Sequence, residues 1–224
     1  LKVVLTREAG RNDSLIDWLP EGATCAEVPL TRTRYFELRE VRASLDARDA
    51  NGQFRSLVVT SERSQLYVTM ALEVSAPDVE VFSVGGATTA ALVSQGVKVH
   101  VQGEGGASAL APYVVHGPVL VLGAREMRDD LVVALRGRGL DVSVVACYET
   151  LALVPSDEDQ ALLADADVVF IGAPSAWSAA RAFVARDAWI VVPGATTGAV
   201  VAQQHERVLE GWGPSLRQRL AVVD

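Results

Sequence analysis

Ten short apolar runs, rich in β-branched residues, recur along the chain with helical spacing between them: Lys2–Thr6, Thr24–Val28, Leu57–Thr60, Val79–Val84, Val97–Val101, Val119–Leu122, Val142–Tyr148, Val168–Ile171, Trp189–Val192 and Arg207–Leu209. A strand that is apolar on both sides must be covered on both sides. Helices of about 10–15 residues between such strands are what parallel crossover connections require. The pattern therefore predicts an α/β protein with parallel sheets. Phe36–Arg48 is the most regular helical stretch, with Phe36, Val41 and Leu45 turned to a core and Arg39, Glu40, Arg42, Asp46 and Arg48 to water. Asp13 or Ser14 is expected to cap the first helix, and Pro174 suits the first turn of a later one.

The chain also echoes itself. Gly86-Ala87-Thr88-Thr89-Ala90-Ala91-Leu92-Val93 returns as Gly194-Ala195-Thr196-Thr197-Gly198-Ala199-Val200-Val201. Val3-Val4-Leu5 with Leu15 and Leu19 returns as Val119-Leu120-Val121 with Leu131 and Leu135, and Val59-Thr60-Ser61 aligns with Ile171-Gly172-Ala173. The displacement drifts along the chain, as a tandem duplication with small deletions would leave it. General likeness among parallel α/β units is the other reading, and the octapeptide favours duplication.

Composition narrows the function classes. The 224 residues are 50% hydrophobic and 21% charged, with a formal net charge of −8 and a pI near 4.9. This is too apolar for disorder and long enough for one large core or two small ones. The acidic balance lacks the basic footprint of nucleic-acid binding. The uncharged stretches Val81–Val97 and Gly105–Ala124 are broken by Gly, Ser, Gln, Pro or His, so no membrane span is expected. Leu1–Arg7 is too short an apolar run for a secretory signal, and Cys25 and Cys147 sit inside apolar runs. Both observations point to a reducing cytoplasm.

In open parallel sheets, ligands bind outside the carboxyl ends of the strands. Small or hydroxylated residues stand there repeatedly: Thr6-Arg7, Thr60-Ser61, Gly85-Gly86, Gly123-Ala124-Arg125, Gly172-Ala173-Pro174-Ser175 and Gly194-Ala195-Thr196-Thr197. Read one at a time, these are strand-to-helix turns and caps. Read together, they describe helix starts whose free N–H groups and dipoles hold an anion without cationic side chains. Cofactor signatures fail. Gly103-Glu104-Gly105-Gly106 has no clear helix start beside it and reads as a loop, and no Gly-Lys-Ser/Thr phosphate loop occurs. His100, His116 and His205 lie far apart, so no metal site is expected. No Gly-x-Ser-x-Gly elbow is present, and Cys147 reads as a buried hydrophobe rather than a nucleophile. The reactive equipment left is Tyr, Thr, Ser, Arg and backbone amides, with no cofactor.

These residues, in this order, resemble the uroporphyrinogen-III synthase family. Val58-Val59-Thr60-Ser61-Glu62-Arg63-Ser64 is similar to the family's Thr-Ser-Pro-Arg-Ala-Val segment. Val84-Gly85-Gly86-Ala87-Thr88 and Gly194-Ala195-Thr196-Thr197 are similar to its two Gly-x-x-Thr turns. Leu5-Thr6-Arg7, Ala173-Pro174-Ser175-Ala176 and Tyr148-Glu149-Thr150 complete a set that spans essentially the whole chain. The resemblance implies two flavodoxin-like or Rossmann-like lobes with parallel sheets joined by a two-stranded β ribbon. The first would be discontinuous, residues 1–30 with 153–224; the second would be 36–147, with 31–35 and 148–152 as connectors.

The same resemblance implies a cyclising hydro-lyase of tetrapyrrole biosynthesis that acts on hydroxymethylbilane, as a cytoplasmic monomer. Water leaves the terminal hydroxymethyl group, giving an azafulvene electrophile. The last ring attacks through its substituted carbon, and a spiro intermediate breaks and recloses inverted. Such a reaction asks for a fold-enforcing surface, an acid near the hydroxyl and anion-binding walls. Tyr148 matches the family's tyrosine, as proton donor or, because a phenol is a weak acid, as a positioning hydrogen bond. Arg7, Thr60, Ser61, Arg63, Gly85, Thr88, Pro174, Ser175, Gly194, Thr196 and Thr197 would receive the substrate's carboxylates. Arg32 and Arg34, on the crossing, either add such contacts or form a solvated ribbon face, and the solvated face is the favoured reading. Three positions depart from the family pattern: Ala173 stands for a serine, Gly198 for an alanine, and Glu62 opens a helix where an anion approaches. Two other readings stay in view, a non-catalytic tetrapyrrole-binding or regulatory protein of the same fold and a nucleotide-using α/β enzyme. With a net charge of −8, attraction of an anion must be local, so potential at the site should be less negative than over the remaining surface.

Overall fold

A computed structural model describes residues 1–48, 53–213 and 215–220. The lobes expected from the sequence also take in residues 49–52, 214 and 221–224, which lie outside the described residues. The strands are β1 (Lys2–Leu5), β2 (Thr24–Glu27), β3 (Thr31–Tyr35), β4 (Phe54–Val59), β5 (Ser75–Val84), β6 (Val101–Gly103), β7 (Val119–Ala124), β8 (Val142–Ala152), β9 (Val168–Phe170), β10 (Trp189–Val192) and β11 (Val208–Glu210). The helices are α1 (Asp13–Ile16), α2 (Leu38–Asp46), α3 (Val68–Glu73), α4 (Gly85–Ser94), α5 (Asp130–Gly137), α6 (Asp157–Ala164), α7 (Pro174–Ala180), α8 (Ala195–Ala202) and α9 (Leu216–Leu220). Short 3₁₀ helices cover Glu62–Tyr67 and Ala107–Leu110.

The chain divides into two compact units: a discontinuous one, Leu1–Thr33 with Leu151–Asp224, and an inserted one, Arg34–Thr150. The discontinuous unit carries a parallel sheet in the order β11-β10-β9-β1-β2. Its two chain pieces are held by the β1–β9 ladder and by Lys2, whose backbone N–H donates to Asp167 Oδ2 at 2.7 Å while its ammonium meets Asp165 at 2.7 Å. The inserted unit's sheet runs β3-β8-β7-β4-β5-β6, parallel from β8 to β6. Phe36 N–H donates to Cys147 O at 3.0 Å and Leu153 N–H to Leu30 O at 2.9 Å, so β3 and β8 form an antiparallel ribbon.

Reading β9, β10, β11, β1, β2 against β4, β5, β6, β7, β8 gives one strand order for both units, 3-2-1-4-5 when each is renumbered within itself. The βαβ piece that closes the inserted unit is the one that opens the discontinuous unit. This is the Rossmann-like order, and its direction reverses between β4 and β7 and between β9 and β1.

Alternation along the strands shows why the runs are continuous. Leu57 and Val59 enter one core while Val58 enters the core on the opposite face; Val3 and Leu5 do so on one side of their sheet, and Val4 on the other. Burying such a side chain contributes roughly 1.5–3 kcal/mol, so each strand anchors two layers at once.

Several local expectations change. The run expected over Val97–Val101 does not form a strand until Val101: Gly96 has φ +79° and Val97 N–H donates to Leu92 O at 3.1 Å, which closes α4 instead. Asn12, not Asp13 or Ser14, holds the N-cap position of α1. The Gly103–Gly106 stretch leads from β6 into a 3₁₀ turn, with Gly105 and Gly106 at φ +83° and +112°. Cys147 is buried, but Cys25 is exposed on β2. Among the described residues no helix is long and apolar enough to cross a membrane.

Candidate functional site

In the inserted unit the reversal lies between β4 and β7, and the candidate residues gather at the carboxyl ends of those strands. Thr60 follows β4; its N–H and its hydroxyl both donate to Leu122 O at 3.0 Å. This crossing is possible because residue 123 is glycine, since a Cβ there would lie 2.6 Å from Thr60 Oγ1. The equivalent reversal in the discontinuous unit is closed alike, with the buried Thr6 hydroxyl donating to Phe170 O at 2.5 Å. Each reversal thus carries one threonine that bonds the neighbouring strand's carbonyl. The Thr60 hydroxyl proton is engaged there, and the oxygen keeps its acceptor capacity.

Tyr148 stands level with Ala124 at the end of β7, where the register shifts. It is 6% exposed, and its ring meets Tyr35 at 6.4 Å and the Arg63 guanidinium at 5.7 Å. Its carbonyl accepts from Arg125 N–H at 2.7 Å. Among the described residues nothing hydrogen-bonds its hydroxyl, whereas the Tyr67 hydroxyl donates to Phe36 O at 2.6 Å and burial raises its pKa. Of the two tyrosines, Tyr67 is structural and Tyr148 keeps a hydroxyl available for a ligand. Thr60, Met127 and Tyr148 border a cavity of about 360 Å³ that also takes in Gly105 and Gly106.

Helix starts supply the anion-binding capacity. α4, α7 and α8 have neither a side-chain cap nor an acidic residue in the first turn. By contrast α2 and α6 carry capping boxes, and α6 places Asp157, Glu158 and Asp159 in its first turn. Leading N–H groups of α4, α7 and α8 are therefore open to a negative group. Gly85 begins α4 at φ +76°, a conformation that strains other residues. Pro174 occupies the first turn of α7 as expected; lacking an N–H, it leaves Ser175 and Ala176 as donors. Gly194 holds the N-cap of α8 in extended backbone.

The two copies of the octapeptide are used differently. Thr88 and Leu92 are buried on α4, but on α8 the buried residues are Thr197, Gly198 and Val201, while Thr196 is exposed. The matched letters are one residue out of phase with the matched burial, and α4 begins two residues earlier in its copy than α8 does. Thr88 and Thr197, both 4% exposed, pack inward, and Thr196 points to solvent. Gly198 has a local cause: a Cβ there would lie 2.8 Å from Glu210 Cδ.

Ser61 caps the 3₁₀ helix at Glu62–Tyr67, accepting from Arg63 N–H at 3.3 Å. In the discontinuous unit Arg7 lies over Trp212 at 5.3 Å, and both side chains lie beside Gly172. Trp212 Nε1 is buried with no partner among the described residues, a donor at the same strand ends. The structure thus brings Thr60, Arg63 and Tyr148 together in one unit; in the other, Arg7 joins Trp212, and α7, bearing Pro174 and Ser175, packs beside α8 with Gly194, Thr196 and Thr197.

Sequence reasoning missed Glu149. It is 9% exposed, with Oε1 paired to Arg34 Nη2 and Oε2 to Arg125 Nη1 at 2.9 Å. Arg34 is therefore not simply a solvated ribbon face. The signal was a charged residue inside the β run Val142–Tyr148-Glu149, facing across a ribbon whose pairing the spacing alone did not reveal.

Two doubly wound α/β units of one strand order, with uncharged helix starts at the carboxyl edges of their sheets, define a Rossmann-like α/β protein; no His, Cys, Asp and Glu cluster able to hold a metal occurs among the described residues. A family model described as Uroporphyrinogen-III synthase HemD matches residues 20–208, and the chain belongs to that family. It is a family of cyclising lyases in tetrapyrrole biosynthesis. Solved structures agree in fold. A mutant uroporphyrinogen III synthase of Thermus thermophilus superposes with a TM-score of 0.65 at 16% identity, over 100% of this chain and 98% of that one. The Helicobacter pylori uroporphyrinogen-III synthetase gives 0.64 at 17% identity over 99% and 98%, and the wild-type Thermus thermophilus enzyme 0.52 at 18% over 100% and 97%. No curated protein sequence matches the chain.

Proposed function

We propose that this chain converts hydroxymethylbilane to uroporphyrinogen III, as a cytoplasmic monomer and without a cofactor, with Tyr148 assisting loss of the terminal hydroxyl. The observation that carries the reading is the family match across residues 20–208. The placement of Tyr148, level with the end of β7 and bordering the same cavity as Thr60, with its hydroxyl unbonded within the described residues, supports its role.

A proton reaches the hydroxymethyl oxygen and the C–O bond breaks, releasing water and leaving the azafulvene. The substituted carbon of the last ring bonds to the methylene, giving the spiro intermediate. The original bond to that carbon breaks, the ring turns over and rebonds, and loss of a proton restores the pyrrole. Tyr148 donates a hydrogen bond, or the proton itself, to the leaving oxygen. In the inserted unit the N–H groups opening α4 and the Arg63 guanidinium, and in the discontinuous unit those opening α8, the exposed Thr196 and Ser175 hydroxyls and the Arg7 guanidinium, are the donors proposed for acetate and propionate groups. Holding the linear molecule in a folded conformation disfavours the uninverted closure to the type I isomer.

The test supplies enzymatically made hydroxymethylbilane and separates the oxidised products. The type III isomer should rise with protein concentration. Type I alone at every concentration would overturn the reading and leave a protein that binds tetrapyrroles without turning them over.

A further inference from the structure

Next in sequence to Tyr148, the inserted unit buries a carboxylate shared between two half-exposed guanidiniums. Tyr35 faces Tyr148 across the β3–β8 ribbon, and Arg34 faces Glu149, the adjacent pair on the opposite side. Arg125 reaches the same carboxylate from the end of β7; its guanidinium lies over Phe36 at 4.4 Å and its N–H holds the Tyr148 carbonyl. The arginine side chains are each 56% exposed, against 11% for Glu149. Beyond Glu149, neither guanidinium has a hydrogen-bond partner among the described residues.

Each guanidinium carries five N–H donors, so most of this donor set is uncommitted. The three groups sum to one positive charge in a chain of net −8. The two arginines open onto a cavity of about 670 Å³ lined also by Phe36 and by Val144, Val145 and Ala146 of β8. Its two carboxylates are already engaged: Glu37 pairs with Arg39 at 2.7 Å, and Glu40 accepts from Glu37 N–H at 3.2 Å within the capping box of α2.

We infer that Glu149 is a positioning residue: it holds Arg34 and Arg125 as a preorganised guanidinium pair that receives one carboxylate of the substrate at the mouth of that cavity. This rests on the reaction proposed above. An arginine on a flexible stem loses rotamer entropy when it binds, and a fixed one has lost it already. Between two cations the carboxylate also cancels a repulsion that would drive them apart.

The sign of the effect distinguishes positioning from neutralisation. Glu149→Gln removes a negative charge near an octa-anion, so a carboxylate that merely neutralised its surroundings would weaken binding, and its removal would lower KM. Positioning predicts the reverse. KM for hydroxymethylbilane rises on the order of tenfold with kcat within about twofold, because the lost contact is equal in ground and transition states. Arg125→Gln should raise KM similarly, and the double variant should cost little more than either alone. Equilibrium binding of uroporphyrin III, an octacarboxylate, should weaken in parallel. An unchanged or lower KM in Glu149→Gln, or full additivity with Arg125→Gln, overturns the inference. If Glu149→Gln does not fold, Arg125→Gln decides by the same KM criterion. If the unaltered chain yields only the type I isomer, the reaction reading fails, and the uroporphyrin III affinities of the variants still decide whether the clamp exists.

Discussion

Gly123→Ala tests how the inserted unit closes its strand-order reversal. The added methyl would sit 2.6 Å from Thr60 Oγ1 and 3.1 Å from Met127 Sδ, with Thr60 bonded to Leu122 O at 3.0 Å. Relief requires the Thr60 side chain to turn away, which gives up a hydrogen bond of about 1 kcal/mol. Overpacking at strand ends adds roughly 1–3 kcal/mol. Gly123 is not at positive φ, so alanine also restricts the unfolded chain and returns about 0.4–1 kcal/mol. The net expectation is a loss of about 1–3 kcal/mol. Urea unfolding should be followed by far-UV circular dichroism, since all four tryptophans, Trp18, Trp177, Trp189 and Trp212, lie in the discontinuous unit and report that unit instead. The decisive comparison repeats the substitution in a Thr60→Ala background, where the clashing oxygen is gone. There the cost should fall by at least about 1 kcal/mol, the coupling expected of contacting residues. Equal costs in both backgrounds would refute the account of Gly123 as room for Thr60.

Tyr148→Phe should slow turnover while leaving the melting temperature unchanged, because the ring contacts with Tyr35 and Arg63 persist; wild-type kcat would remove Tyr148 from the leaving-group step. Thr196→Ala should weaken substrate affinity without moving stability, and Thr197→Ala should do the opposite, since only Thr197 is buried; thermal melts beside KM values check both. Burial pushes the Cys147 thiol from 9.0 up to about 12. The unfolded chain therefore loses this proton first, so the stabilisation is complete below pH 9.0 and declines as pH rises toward 12, by ~1.4 kcal/mol per pH unit. Stability curves of the wild type and Cys147→Ala should converge or cross over that interval, and parallel curves would exclude the effect.

Much of the fold was legible because it rests on short-range patterns. The strands of both sheets carry apolar residues on two faces, and no arrangement except a sheet covered on both sides buries Val58 together with Leu57 and Val59. Thr60 and the glycine-threonine turns were legible because they stand at strand ends before helices, and Tyr148 because it matches the tyrosine of the family pattern. The octapeptide was legible and misleading: identical letters cannot report that α4 starts two residues earlier in its copy than α8 does, nor which threonine faces solvent.

By itself, the sequence determined the class, the alternation of strands and helices and the family pattern that binds them into one reading. Those depend on residue spacing, which a linear string carries in full. Tertiary structure alone decided that the Thr60 hydroxyl bonds Leu122 and that Glu149 lies between Arg34 and Arg125. Each of these turns on which strand lies beside which. Neighbours in a parallel sheet are set by crossover connections far apart in sequence, so a charge that reads as surface in the string becomes, through the β3–β8 pairing and the end of β7, the buried centre of a cationic pair.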